Sequence, residues 1–235
     1  MTIPVLLARA LATQPERPFV TFYDLDSGER IELSLTTTAN WVAKTANLLQ
    51  DTLGSDDSTV VRIDLPLHWQ TAVWVLATWT AGATVTLDGD ADVHVVGPDG
   101  LDAAGGADEV VALSLRPMAA RFVTPLPPGV MDYNAEVGAH GDRFTPYYPP
   151  AGYARAVRRD DGDRSHAELT ASAEGAFDSG ERLLIVGEDA APLLEALPAA
   201  LAADGSLVLV RCVDAEPDPE RIEALRTTER VTRTL

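Results

Sequence analysis

The chain has 235 residues, 46% of them apolar, enough to bury a sizeable core as one large α/β domain or two joined lobes. Its 36 acidic residues against 18 basic ones leave a net charge of −18, which opposes nucleic acid and anionic membrane surfaces as partners. Lys44 is the single lysine, and the single cysteine, Cys212, has no internal disulfide partner.

Residues 3–13 read as a short helix ended by Gln14-Pro15, with Val5, Leu6 and Ala10 available to pack. Segments 19–24 and 30–34 alternate apolar and polar residues around Asp26-Ser27-Gly28, the pattern of an edge hairpin. Residues 34–88 then read helix, strand, helix, strand. Val42, Ala46, Leu49 and Leu53 recur at helical spacing, and Gly54 stops that helix. The β-branched run 59–65 is a buried strand closed by Pro66. Trp69, Val73, Leu76, Ala77 and Thr80 form the inner face of the next helix, Gly82 caps it, and 83–87 returns as a strand. This rhythm predicts an α/β fold of mostly parallel sheets with helices on both faces.

Strands at 93–96 and 110–113 follow, separated by a connection that includes the turn residues Gly105-Gly106. From 114 to 152 the periodicity fails under repeated prolines, and scattered aromatics predict an irregular arm packed on the body. Residues 153–164 read as a solvated connector that holds the densest arginine group. Ser165-His166-Ala167-Glu168 is a capping box opening a helix to about residue 177. Strand 182–186, helix 189–203, strand 206–213, helix 219–227 and strand 230–234 complete the chain. The expected organisation is a first lobe over 1–152, the connector 153–164, and a smaller second lobe over 165–235.

Motifs for chemistry are sparse. His68, His94, His140 and His166 lie far from one another and from Cys212, so no local metal clip exists, and each is read as structural. Cys212 reads as a small buried hydrophobe after an apolar run. The runs Asp88, Asp90, Asp92 and Asp160, Asp161, Asp163 lack the further oxygen ligands of a calcium loop and read as solvated turns, although Asp88 sits at the carboxyl end of a strand, where open α/β sheets bind ligands. Neither of the usual glycine-rich phosphate motifs occurs, nor does a serine nucleophile elbow. Gly187 follows a strand, but Glu188 and Asp189 repel an anion there. No basic region precedes an apolar run at the N-terminus, and no run of about 18 apolar residues occurs, so a cytoplasmic location is expected.

Residues 19–24, Ala39-Asn40-Trp41 through Leu48-Leu49, 60–66, and Trp79-Thr80-Ala81-Gly82-Ala83 resemble, in order and spacing, the start of the adenylate-forming (AMP-binding) enzymes: acyl-CoA synthetases, adenylation domains and luciferase-like ligases. Ser165-His166-Ala167-Glu168-Leu169 is similar to the helix start after their ATP loop, and 201–210 with Glu229-Arg230-Val231-Thr232 to the elements beyond it. The nearest likeness is to short actinobacterial proteins at the edge of that superfamily. The resemblance implies an ATP phosphate loop rich in Ser, Thr and Gly and ending in Pro-Lys. Here the corresponding span, 154–164, has one glycine, no Ser or Thr and no lysine. The chain also ends at Leu235, before the family's adenine motif, ribose-binding Asp and C-terminal domain with its catalytic Lys, and is read as a settled short form. No catalytic, cofactor-binding or metal-binding residue carries over, and no cofactor is expected. The leading expectation is a non-catalytic pseudoenzyme that binds a small ligand or a protein partner. The alternatives are a small enzyme with a site rebuilt from His166, Asp88 and Arg158, Arg159 and Arg164, and an interaction protein using the surface 145–164. Oligomeric state is left open.

Overall fold

A computed structural model describes residues 1–104, 106–212 and 217–235. The expected turn residue Gly105 and strand end Val213 lie outside them. In chain order the first half comprises α1 (Ile3–Thr13), β1 (Pro18–Asp24), β2 (Arg30–Ser34), α2 (Leu35–Asn47), β3 (Val60–Asp64), α3 (Trp69–Ala81), β4 (Thr84–Thr86), β5 (Val93–Val96) and β6 (Glu109–Ala112). The second comprises β7 (Val130–Asp132), α4 (Tyr133–Glu136), β8 (Arg155–Val157), β9 (Arg164–Ser165), α5 (His166–Ala173), β10 (Arg182–Val186), α6 (Leu193–Ala202), β11 (Ser206–Arg211), α7 (Pro219–Thr228) and β12 (Arg233–Thr234). The predicted α/β class holds.

Two sheets are built, in the orders β12-β10-β11-β1-β2 and β7-β6-β5-β3-β4-β8-β9. All neighbours pair in parallel except β1 with β2 and β8 with β9. The pairing runs across the expected division at 152–165, because β1 joins β11 with Val20 opposite Leu207, and β8 joins β4 with Val157 opposite Val85. The reason is burial. Phe19, Val20, Thr21 and Phe22 are all buried, so β1 needs a neighbour on each edge and cover on each face, and β2 alone cannot supply them.

Helices α1, α2, α3 and α6 pack on one another between the sheets. At the centre is α3, where every residue except Thr80 is buried; the single inner face expected for it is corrected, since a helix between two sheets has no solvent side. Gly82 closes it with φ +90°, a conformation glycine adopts without strain. On the outer face of the five-stranded sheet, Ile222 and Leu225 of α7 cover Leu184, Val208 and Val210. Val5, expected to pack, is 53% exposed, while Leu6 and Ala10 are buried as read.

A π-helical turn, Leu48–Thr52, extends α2. Lys44, Asn47 and Gln50 lie three residues apart along this helix and fasten the arm. Lys44 Nζ donates to the His140 carbonyl and pairs with Asp142, Asn47 Nδ2 donates to the carbonyls of Gly141 and Arg143, and Gln50 Oε1 accepts from Tyr147 N–H. The arm is therefore packed, as expected, but it also contains the strand β7, which its prolines had hidden.

Candidate functional site

In parallel α/β sheets, the carboxyl ends of the strands place loops and backbone dipoles together, and ligands bind in the crevice outside them. Both sheets of this protein open such ends toward one cavity of about 580 Å³. From the seven-stranded sheet come Asp64, the last residue of β3, with Leu65-Pro66 beyond it, Gly97-Pro98-Asp99-Gly100 after β5 and Ser114-Leu115 after β6; from the five-stranded sheet come Glu188 after β10 and Arg211 at the end of β11. The two sides are tied at their base, where Leu67 N–H donates to the Glu188 carbonyl at 2.7 Å. Gly97 permits close approach: a Cβ there would stand 3.3 Å from Leu115 Cδ1.

Arg211 pairs with Asp24 at 3.5 Å and with Glu188 at 3.9 Å, so its charge is matched by two carboxylates. Across the crevice, Asp64 Oδ2 accepts from Arg62 at 3.0 Å and lies 3.4 Å from His94 Nε2. Burial, with Arg62 adding to it, holds the His94 imidazole below its ordinary pKa against the opposing pull of Asp64. Just past the rim, His68 caps α3, and its Nδ1 accepts from Gln70 N–H at 3.1 Å. This leaves the proton on Nε2, which is buried without a partner. Burial pushes His68 down to about 3, with Arg211 adding to the effect. Gln70 is fully buried, and neither its amide oxygen nor its nitrogen is bonded.

The residues singled out in the sequence are not brought together here. His166 is fully buried beneath the N-terminus, where Ile3 N–H donates to its Nδ1, and burial lowers it to about 4. His140 is held on the arm near Thr52. Asp92 is structural, accepting from Val60 N–H at 2.7 Å, while Asp88 is exposed. Cys212 is buried, as its apolar surroundings imply. Among the described residues, no group of three or more His, Cys, Asp or Glu is placed to hold a metal ion, and no helix is long and apolar enough to cross a membrane.

The span 153–164 is not a free connector. Its β8 and β9 form a hairpin on the seven-stranded sheet, with Ala156 and Val157 in the core, because the edge of β4 would otherwise lie open. Arg155 pairs with Asp163 at 3.1 Å, Arg158 donates to the carbonyls of Asp88 and Asp90, and Arg164 reaches Glu195 and Ser172. The capping box at Ser165 is present in full: Glu168 N–H donates to Ser165 Oγ, and Ser165 N–H donates to the Glu168 carboxylate. Helix α5 stops at Ala173, short of residue 177.

A second cavity of about 280 Å³ between α1 and α2 is lined largely by apolar groups such as Leu7, Leu11, Val42 and Phe144, and its one carboxylate, Asp142, is tied to Lys44. The crevice, with its convergent polar groups, is the better candidate. Of its lining residues, sequence reasoning named Pro66 as a strand breaker and Glu188 as a repelling charge, neither of them as part of a site. Part of the signal was available, since Glu188 follows the predicted strand 182–186 and Asp64 is the next-to-last residue of the predicted strand 59–65, whereas Arg211 lies inside the predicted strand 206–213.

No family model matches the chain. Its fold is shared with the Brucella canis acyl-CoA synthetase (TM-score 0.79, 17% identity, all of this chain and 47% of that one). The acetoacetyl-CoA synthetase of Streptomyces lividans is similar again (TM-score 0.81, 15% identity, all of this chain and 42% of that one). The chain thus spans less than half of each synthetase, in line with the resemblance read from residues 19–87. It is also 40% identical over 250 aligned positions to a protein of Mycobacterium tuberculosis (strain ATCC 25618 / H37Rv), covering 100% of both chains. That relative is a "TIGR03089 family protein", and on this identity over the whole of both chains the present protein belongs to the TIGR03089 family.

Proposed function

We propose that this chain is a non-catalytic relative of the adenylate-forming enzymes that keeps the α/β body to bind a small polar ligand in the crevice between the two sheets. What supports the reading is the state of the 158–163 turn, within the span 154–164 that the sequence resemblance sets against the ATP phosphate loop of those enzymes. Of its guanidinium groups, Arg158 is spent on the carbonyls of Asp88 and Asp90, while Arg159 has no ion pair among the described residues; at the base of the turn Arg155 pairs with Asp163. The tip presents Asp160 and Asp161, both exposed. A triphosphate approaching this turn meets two exposed carboxylates and the single uncommitted guanidinium of Arg159, far from the several preorganised donors that phosphoryl or adenylyl transfer needs.

Titration calorimetry with ATP·Mg²⁺ and pyrophosphate exchange over a panel of carboxylic acids test this. Neither heat of binding nor exchange is expected; micromolar ATP affinity, or exchange that depends on an added acid, overturns the reading. A second reading, an interaction protein using the surface 145–164, is favoured by Tyr147, Tyr148 and Tyr153, which are 71%, 59% and 89% exposed. Cross-linking in cell extract with the triple Tyr→Ser variant as control tests it, and the loss of a specific adduct in that variant supports it.

A further inference from the structure

We infer that the crevice takes a small organic cation, an ammonium or guanidinium compound rich in N–H donors, and not an anionic metabolite. This deepens the proposed function and rests on the crevice being a ligand site. The first argument is the hydrogen-bond inventory. Asp64, Asp99 and Glu188 line the cavity, and ionised carboxylates only accept. Several donors around the rim are already used: Gly100 N–H on the Gly97 carbonyl, Ser114 N–H on Asn134 Oδ1, the Ser114 hydroxyl on the Ala120 carbonyl, and Leu67 N–H on the Glu188 carbonyl. An incoming anion meets three carboxylates and one guanidinium, whereas an incoming donor finds carboxylate oxygens.

The second argument is charge. The one cation of the lining, Arg211, is faced by Asp24 and Glu188, and its Nε is sealed from solvent without a partner. Its positive charge is thus shared between Asp24 and Glu188, Asp64 is paired with Arg62, and Asp99 is left without an ion pair among the described residues. Asp64 and Glu188 are half-exposed, so carboxylate oxygens face water that a ligand can displace. A cavity of about 580 Å³ suits a metabolite-sized compound rather than a bare ion.

The test uses the intact chain in thermal-shift and calorimetric titrations at about 0.15 M salt, where long-range attraction to a protein of net charge −18 is screened. The probes are agmatine, spermidine and arginine amide on one side, and citrate, inorganic phosphate and AMP on the other. Saturable binding of at least one cationic probe is expected, weakened about tenfold by Asp99→Asn or Glu188→Gln. It should be unaffected by Asp160→Asn with Asp161→Asn on the exposed turn. Equal loss in the turn variant means general attraction to an acidic protein and overturns the proposal. Binding of an anionic probe that is lost in Arg211→Gln and retained in Glu188→Gln overturns the cation assignment but keeps the crevice as a site. If no probe of either sign responds to the crevice variants, the site itself, and with it the proposed function, fails.

Discussion

Acidification from about pH 7.5 to about pH 5 should destabilise this protein through two buried histidines, by an amount the structure allows one to work out. His68 and His166 are 1% and 0% exposed, and burial lowers them to about 3 and about 4. Both folded-state values lie below the unfolded value near 6.5, so as the pH falls through 6.5 the unfolded chain takes up protons that the folded chain refuses. Their contribution is complete above about pH 6.5 and is lost between there and about pH 4 for His166 and about pH 3 for His68. At about pH 5 each has lost roughly 1.5 pH units of linkage, about 2 kcal/mol, or about 4 kcal/mol together. That is a large share of an ordinary domain's stability. The opposing effect is relief of self-repulsion as the net charge of −18 is titrated toward the pI near 4.4, so the parent protein alone is a poor readout. Urea unfolding at both pH values, on the parent and on His68→Asn with His166→Asn, separates the two effects. Asparagine at 68 retains an N-cap for α3, and any cavity costs the same at both pH values and cancels. The parent should lose about 4 kcal/mol more than the double variant. An identical acid-induced loss in the two proteins would refute the burial argument.

Ser165→Ala should cost about 0.5–2 kcal/mol in chemical denaturation with the fold retained, since it removes the oxygen that accepts Glu168 N–H. Gly82→Ala should cost more than about 1 kcal/mol, because φ is +90° and the new Cβ would stand 2.9 Å from the Tyr148 carbonyl oxygen. Limited proteolysis should show the arm near Tyr148 loosened by the same change. Arg158→Ala with Arg159→Ala should leave stability within about 1 kcal/mol, as exposed polar contacts usually do, and a larger loss in the melting curve would mean that the grip of Arg158 on Asp88 and Asp90 holds the sheet edge.

Much of the architecture is written locally. The spacing of Leu6, Ala10, Val42 and Ala46, the β-branched runs of β3 and β5, the capping box at Ser165 and the glycine at 82 each specify an element through steric and hydrogen-bonding preferences that act within a few residues. For the same reason β10 coincides with its predicted bounds, and β5 likewise. The resemblance to adenylate-forming enzymes also lies in this local order of elements, and it survives in the shared fold at identities below 20%. The three-residue strands β7 and β8 were not legible, since each is held by a neighbour in the sheet and not by its own pattern.

Tertiary structure decided what depends on distant partners. Gln70, Thr71 and Thr78 give α3 a polar appearance on one side, yet they are buried because sheets lie on both sides of the helix. The hairpin of β1 and β2 lies at the edge of its sheet, as its pattern reads, but only β2 is the edge strand; β1 is interior because β11, nearly two hundred residues away, pairs with it. The crevice exists only through this pairing. Asp64, Asp99, Glu188 and Arg211 are separated in the chain by tens of residues, and each alone is an unremarkable charge at a strand end. Parallel alignment brings those ends to one side, and the tie between Leu67 and Glu188 joins the two sheets there. Local sequence specifies which segments become strands; their order and direction, set by the burial of apolar faces from remote parts of the chain, determine which charges share a cavity.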